Sequence, residues 1–146
     1  MKLTHRVLRH HAKPAKFDRP WPNQQLAQCL LEFMRRNHGI GLAANQVGIN
    51  QRVFVMEISG WRRICFNPEI LDHSPNLVDW NEACLSFPGE QCIIQRPDWI
   101  DVRYQAADGE SHTERFAGLL GRCFQHELDH LNGVTMWDRY KEQNAE

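Results

Sequence analysis

GLLGRCFQHELDHLNG, residues 118–133, is the stretch on which the fold turns. Leu119, Leu120, Phe124 and Leu131 recur at helical steps and Asn132-Gly133 supplies a stop, so the pattern predicts a helix of about four turns. His126 and His130 stand four apart, one above the other on a single face, and both imidazoles can reach one metal ion. Glu127, next to the first histidine, can take a proton from metal-bound water but is poorly placed to ligate. The surrounding apolar residues bury this face, where an unpaired His-Glu-His cluster would be costly. That weighs the motif toward a metal and against a chance match on a solvated helix.

Working upstream, the period becomes that of strands. Ile100, Val102 and Tyr104 alternate with Asp101 and Arg103, residues 107–110 (ADGE) read as a hairpin turn, and SHTERFA (111–117) is the return strand. Arg52–Ile58 is a further apolar strand, ICFNP (64–68) is one that Asn67-Pro68 should stop, and 77–86 runs extended into Cys84. At the other end, Leu26, Cys29, Leu30, Phe33 and Met34 predict an earlier helix, capped at Asn23 and ended by Gly39. The first 22 residues read as a basic, extended arm. The expected fold is α+β: antiparallel sheets packed around a central C-terminal metal-binding helix, with a second, N-terminal helix. Residues 1–146 are expected to form one catalytic domain.

Composition narrows the classes. Seventeen Lys+Arg against eighteen Asp+Glu give a net charge of -1, which counts against a whole-domain nucleic-acid surface. No apolar run approaches the roughly 18 residues of a membrane span. MKLTHRVLRHHAKPAK lacks the apolar core of a secretory signal. Five cysteines, an odd number without a CxxC pair, point to reduced thiols and a soluble, intracellular protein.

Two histidines leave a catalytic metal short of a ligand. The LNGVTMW that follows His130 lacks the extended pattern of HExxH peptidases, so the search moves upstream. Cys84, within Glu82-Ala83-Cys84-Leu85-Ser86, would be a strong soft ligand as thiolate. On the residues alone, a buried structural thiol is the competing reading.

Three motifs in order, Gly39-Ile-Gly-Leu-Ala-Ala-Asn-Gln46, Glu82-Ala-Cys-Leu-Ser86 and Gln125-His-Glu-Leu-Asp-His130, make the chain resemble peptide deformylase from Val7 to Trp137. The resemblance implies removal of the formyl group from N-formylmethionine at the N-terminus of nascent polypeptides. It implies Cys84, His126 and His130 as metal ligands, Glu127 as general acid/base, and Gln46 with the Leu85 backbone N–H as oxyanion hole. Metal-activated water would attack the formyl carbon. The substrate pocket would draw on Gly39, Ile40, Gly41, Trp80, Leu119, Arg122 and Cys123. The glycines would bring backbone close to substrate and turn Gln46 toward the metal.

The implied cofactor is one divalent metal ion, Fe2+ first, with Zn2+, Ni2+ or Co2+ accommodated by the same donors. The implied partners are N-formylmethionyl nascent peptides, with weak ribosome association compatible, and neither DNA nor membrane. The implied location is the cytoplasm of a bacterium, or of a bacterial host. The chain reads as a compact form without the extra C-terminal helix of many bacterial members, similar to versions encoded by phages.

Departures from the family pattern carry their own expectations. Ala83 stands where glycine is usual, and would be strained if the backbone there needed positive φ. Arg122 replaces an aliphatic pocket residue. Its guanidinium should snorkel to the pocket rim and favour acidic groups along the substrate, the alternative being a pocket wall made by its stem. Trp80, at even spacing from Cys84, should also face inward. Glu82 and Arg96 should pair and pin the loop carrying Cys84. Competing functions are an HExxH endopeptidase, a Cys84–His thiol hydrolase and a non-enzymatic metal-binding or ribosome-associated module. Scaffolding alone needs neither Glu127 nor Gln46.

Overall fold

The computed structural model describes residues 1–18 and 20–145. In chain order they form α1 (Pro20–Arg36), β1 (Gly41–Ala43), a 3₁₀ turn (Ala44–Val47), β2 (Val53–Ile58), β3 (Trp61–His73), β4 (Leu77–Ala83) and β5 (Gln91–Pro97). Then come β6 (Trp99–Gln105), β7 (Ser111–Ala117), α2 (Gly118–Leu131) and α3 (Met136–Gln143). All strand pairs are antiparallel. Five strands in the order β1-β2-β3-β6-β7 make the main sheet, and β4-β5 pair only with each other.

The continuous apolar run of β2 is explained by cover on both faces. Val53 and Val55 face α1, where they join Leu30, Leu31 and Met34. Phe54 and Met56 face α2 and meet Phe124, Leu128 and Leu131. Phe54 and Phe124 contact edge to face, with ring centroids 4.9 Å apart. On its other side α2 meets the β4-β5 hairpin, so residues 121–131 are buried without a break. The α+β expectation, with antiparallel sheets around a central helix, therefore holds.

Four local expectations need correction. α1 begins at Pro20 rather than after Asn23, as proline suits a first helical turn; the Asn23 amide instead donates to the Lys16 carbonyl at 2.7 Å. Its inward stripe is Ala27, Leu30, Leu31 and Met34, while Cys29 is exposed. At its end His38 takes the left-handed turn (φ 58°), and Gly39 N–H donates to the Met34 carbonyl at 2.9 Å. Asn67-Pro68 does not stop β3. Asn67, at φ 48°, forms a bulge with one extra residue between the pairs Phe66–Gln105 and Glu69–Arg103, and the strand runs on to His73. The Asn67 amide makes strand-like bonds to Ala15, clamping the N-terminal arm (2.8 and 3.2 Å).

β1, the 3₁₀ turn, β5 and α3 were not foreseen. β5 hides in QCIIQRP, whose Cys92, Ile94 and Arg96 face inward. α3 opens with a reciprocal cap between Thr135 and Asp138. Its Gln143 amide accepts from Gln95 N–H at 2.9 Å and donates to the Ile93 carbonyl at 2.6 Å, covering the edge of β5. Ala83 lies outside the left-handed region, so its methyl group carries no backbone strain.

Candidate metal centre

Three elements converge at one point. β4 ends just before Cys84, and a turn closed by Phe87 N–H on the Cys84 carbonyl (3.0 Å) directs the thiol toward α2. There the Cys84 Sγ lies 3.2 Å from His130 Nε2, and the donor atoms of Cys84, His126 and His130 all lie within 4.8 Å of one another. His126 Nδ1 donates to Glu82 Oε1 at 2.8 Å, which leaves Nε2 as its free donor. One sulfur and two imidazole nitrogens, brought together without a disulfide, suit a tetrahedral divalent ion with one open position. Among the described residues, His130 Nδ1 and Glu127 Oε1 are buried polar atoms with no hydrogen-bond partner. A centre that draws water or substrate toward Glu127 accounts for the second of these.

The charges around the centre are set by burial and pairing. Burial pushes the Glu127 carboxyl up to about 7, with Glu82 and Asp129 adding to the rise and His126 and Arg96 opposing it. Burial lowers His126, but hydrogen bonds with Cys84 and Glu82 outweigh it and hold that imidazole up at about 10. Burial and the His126 charge depress its neighbour His130. Burial also opposes the Glu82 anion, yet His126 and Arg96 overcome this and keep Glu82 ionised far below the usual carboxylate range.

Gln46 reaches the centre from the 3₁₀ turn. Its Oε1 accepts from Ala43 N–H at 2.9 Å, which fixes the amide so that Nε2 faces Ser86 Oγ (3.0 Å) and Cys84 Sγ (3.6 Å). The N-terminal arm braces this corner: Thr4 N–H donates to the Gln46 carbonyl at 2.9 Å, and His5 Nε2 lies 2.7 Å from the Ser86 carbonyl. Asn45 bonds the His130 carbonyl through its side-chain amide. No motif reaches Thr4 or His5, and Ser86, though it closes the Glu82–Ser86 motif, carries no assigned role there, because these contacts depend on chain segments distant in sequence.

Beside the centre opens a cleft of about 680 Å³ lined by Gly39, Ile40, Gly41, Trp80, Leu119, Arg122 and Cys123, together with Gln46, Cys84, Leu85, His126 and Glu127. Every residue expected for the pocket thus lines it. The glycines act through space rather than through positive φ. A Cβ on Gly41 would stand 2.5 Å from Glu127 Oε2 and 2.7 Å from Cys123 Sγ, and one on Gly39 would stand 2.7 Å from Leu85 Cδ1.

The Glu82–Arg96 pair forms as expected, with bonds of 2.6 and 3.0 Å. Arg122 does not snorkel. It is 7% exposed, and its guanidinium donates to Glu82 Oε2 at 2.7 Å and to the carbonyls of Ile94 (2.9 Å) and Val78 (2.5 Å). Internal acceptors remove the need to reach water, so the charge is turned away from the rim and is not placed to attract acidic groups of a substrate. Trp80 is half-exposed, its ring 6.0 Å from the Arg122 guanidinium carbon.

The sequence profile of the family described as polypeptide deformylase matches residues 1–146. The peptide deformylase of Thermotoga neapolitana is 46% identical over 136 residues, covering 92% of this chain and 82% of that protein. The crystal structure of the Thermotoga maritima peptide deformylase is similar at a TM-score of 0.87 and 45% identity, over 91% of this chain and 90% of that one. A peptide deformylase from Synechococcus elongatus, solved with actinonin, is similar at a TM-score of 0.88 and 39% identity, over 94% and 75% of the two chains.

Proposed function

The chain belongs to the polypeptide deformylase family, and from that premise we propose how its own residues carry out the reaction. It is a metal-dependent hydrolase that removes the formyl group from the N-terminus of formylated peptides. Cys84, His126 and His130 would hold the ion, which when bound supplies a Lewis acid that lowers the pKa of water and polarises the formyl carbonyl. Glu127, with one carboxylate oxygen free of partners, takes the proton from the attacking water. The water oxygen bonds to the formyl carbon, the C–N bond breaks, and Glu127 delivers the proton to the departing amine, giving formate and a free N-terminus. The Gln46 Nε2–H and the Leu85 backbone N–H donate to the oxygen as its negative charge develops. Gly39, Ile40, Gly41, Trp80, Leu119 and Cys123 receive the methionine and the residues after it.

The observation that carries this reading is the meeting of Cys84 with both histidines beside a buried Glu127 whose Oε1 has no hydrogen-bond partner. An endopeptidase of the HExxH type finds its third ligand downstream; here the third donor comes from upstream. We assign residues 1–146 to one catalytic domain, ferrous iron as the resident ion, N-formylmethionyl nascent chains as substrate, weak ribosome association, and the cytoplasm as its location. The test is an anaerobic assay of formyl-Met-Ala-Ser with ferrous iron beside a peptide offering only internal bonds. Formate from the first alone is expected, and cleavage of internal bonds, or of neither peptide, overturns the reading.

Two variants probe the roles separately. Gln46→Glu keeps the acceptor for Ala43 N–H but loses the donor, and is expected to lower kcat by about 10²–10³-fold. A near-normal kcat would remove Gln46 from the mechanism. Gly41→Ala, by displacing Glu127, is expected to lower kcat by about 10²-fold with metal content unchanged, the scale of a misplacement of about 1 Å. Wild-type turnover in that variant would show that Glu127 can shift without penalty.

A further inference from the structure

We propose that Arg122 is a positioning residue for the metal centre, locking the β4-β5 hairpin against α2 and so setting where the Cys84 sulfur stands relative to the two imidazoles. The inference rests on the family reading of that centre. Both imidazoles are carried by α2, but the sulfur sits at the end of a two-stranded hairpin that shares no ladder with the main sheet. The hairpin's base is tied to β3 and β6 by backbone, Ser74 N–H donating to the Trp99 carbonyl at 2.9 Å and Asp98 N–H to the Asn76 carbonyl at 3.0 Å. Side chains must therefore register the far end, which carries Cys84. On α2, Arg122, His126 and Asp129 follow one another at helical spacing on the face turned to the hairpin, and each makes a polar bond to it.

The bonds of His126 and Asp129 end on side chains, Glu82 and Arg96. Arg122 alone of the three also grips backbone, on both strands: the Val78 carbonyl of β4 and the Ile94 carbonyl of β5. Val78 and Glu82 are four residues apart along β4, about 13 Å in an extended strand. Gln125 of α2 also donates to hairpin backbone, at the Pro97 carbonyl of its base (3.3 Å). Arg122 adds holds at Val78, near that base, and at Glu82, near the sulfur, which together oppose twisting of the hairpin between the two. Arg122 provides both holds, because the same guanidinium reaches Glu82 Oε2, the oxygen that also accepts from Arg96. Its planar fork of donors makes this possible, and a lysine head cannot span the same acceptors.

The test is metal release from the cobalt-substituted full chain, read well below the unfolding midpoint, with the visible spectrum of the cobalt–thiolate centre recorded alongside. Arg122→Met is expected to lose cobalt to excess chelator about 10–100-fold faster than wild type, the usual scale for a group that orients ligands, and to show a shifted cobalt spectrum. Arg122→Lys, which keeps the charge without the span, is expected to fall between them. A structural role alone would lower the unfolding midpoint and leave both readouts unmoved. Wild-type release rate and spectrum in Arg122→Met overturn the proposal; should that variant fail to fold, the same result in Arg122→Lys does so. If the wild-type chain itself takes up no cobalt, the reading of the metal centre falls and the proposal falls with it.

Discussion

Glu127→Ala is expected to lower deformylation by about 10²–10⁴-fold while the protein keeps its metal. The substitution removes a carboxylate that lies beside the ligands without bonding them and touches none of the three donors, and His126 remains fixed by Glu82 at 2.8 Å. Turnover and metal content measured on the same preparation check this. If metal is lost in proportion to activity, Glu127 serves to hold the site together and the proton must travel by another route.

Cys84→Ala is expected to reduce activity to background, and here the metal should go as well. Two imidazoles remain, both on one helix, with no donor from the opposite wall. The comparison is chelation of the wild-type chain: activity should vanish with the ion and return on adding ferrous iron without oxygen, whereas the variant should not respond. The thiolate form of Cys84 is also the group most open to oxidation, so air should mimic the variant progressively. Stoichiometric metal in active Cys84→Ala would exclude the sulfur from the ligand set.

What could be read from sequence follows from the range of each interaction. His126, Glu127 and His130 share a helix, and their mutual geometry is fixed by its pitch, so local spacing sufficed. The β6-β7 hairpin and the end of α2 were legible for the same reason. Cys84 stands 46 residues from His130, and residues alone left it open between ligand and structural thiol; the resemblance, rather than any period, joined them. Arg122 was misjudged because its acceptors, Val78, Glu82 and Ile94, lie 28 to 44 residues away. Without them, burial of a guanidinium looks prohibitive. Asn67-Pro68 was misjudged differently, since a bulge and a strand end offer the same local signal until the partner strand is known. α3 carries a Thr135-x-x-Asp138 capping signature, but its small apolar face gives little helical period to read.

The separation of the β4-β5 hairpin from the main sheet gives the molecule two levels of cooperativity. A strand inside the five-stranded ladder cannot leave without breaking the rows on either side. The hairpin can swing outward on its base by releasing its bonds to α2 and α3 and the small buried cluster of Cys92, Ile94 and Met136, as a sub-global opening below the free energy of complete unfolding. An ion held by Cys84 and the α2 histidines binds only the shut form, so its affinity adds directly to the cost of that opening. Free metal concentration thereby sets how often this part of the chain exchanges its amide hydrogens with water. In the metal-loaded protein the hairpin should breathe with the rest of the fold, and in the stripped protein ahead of it.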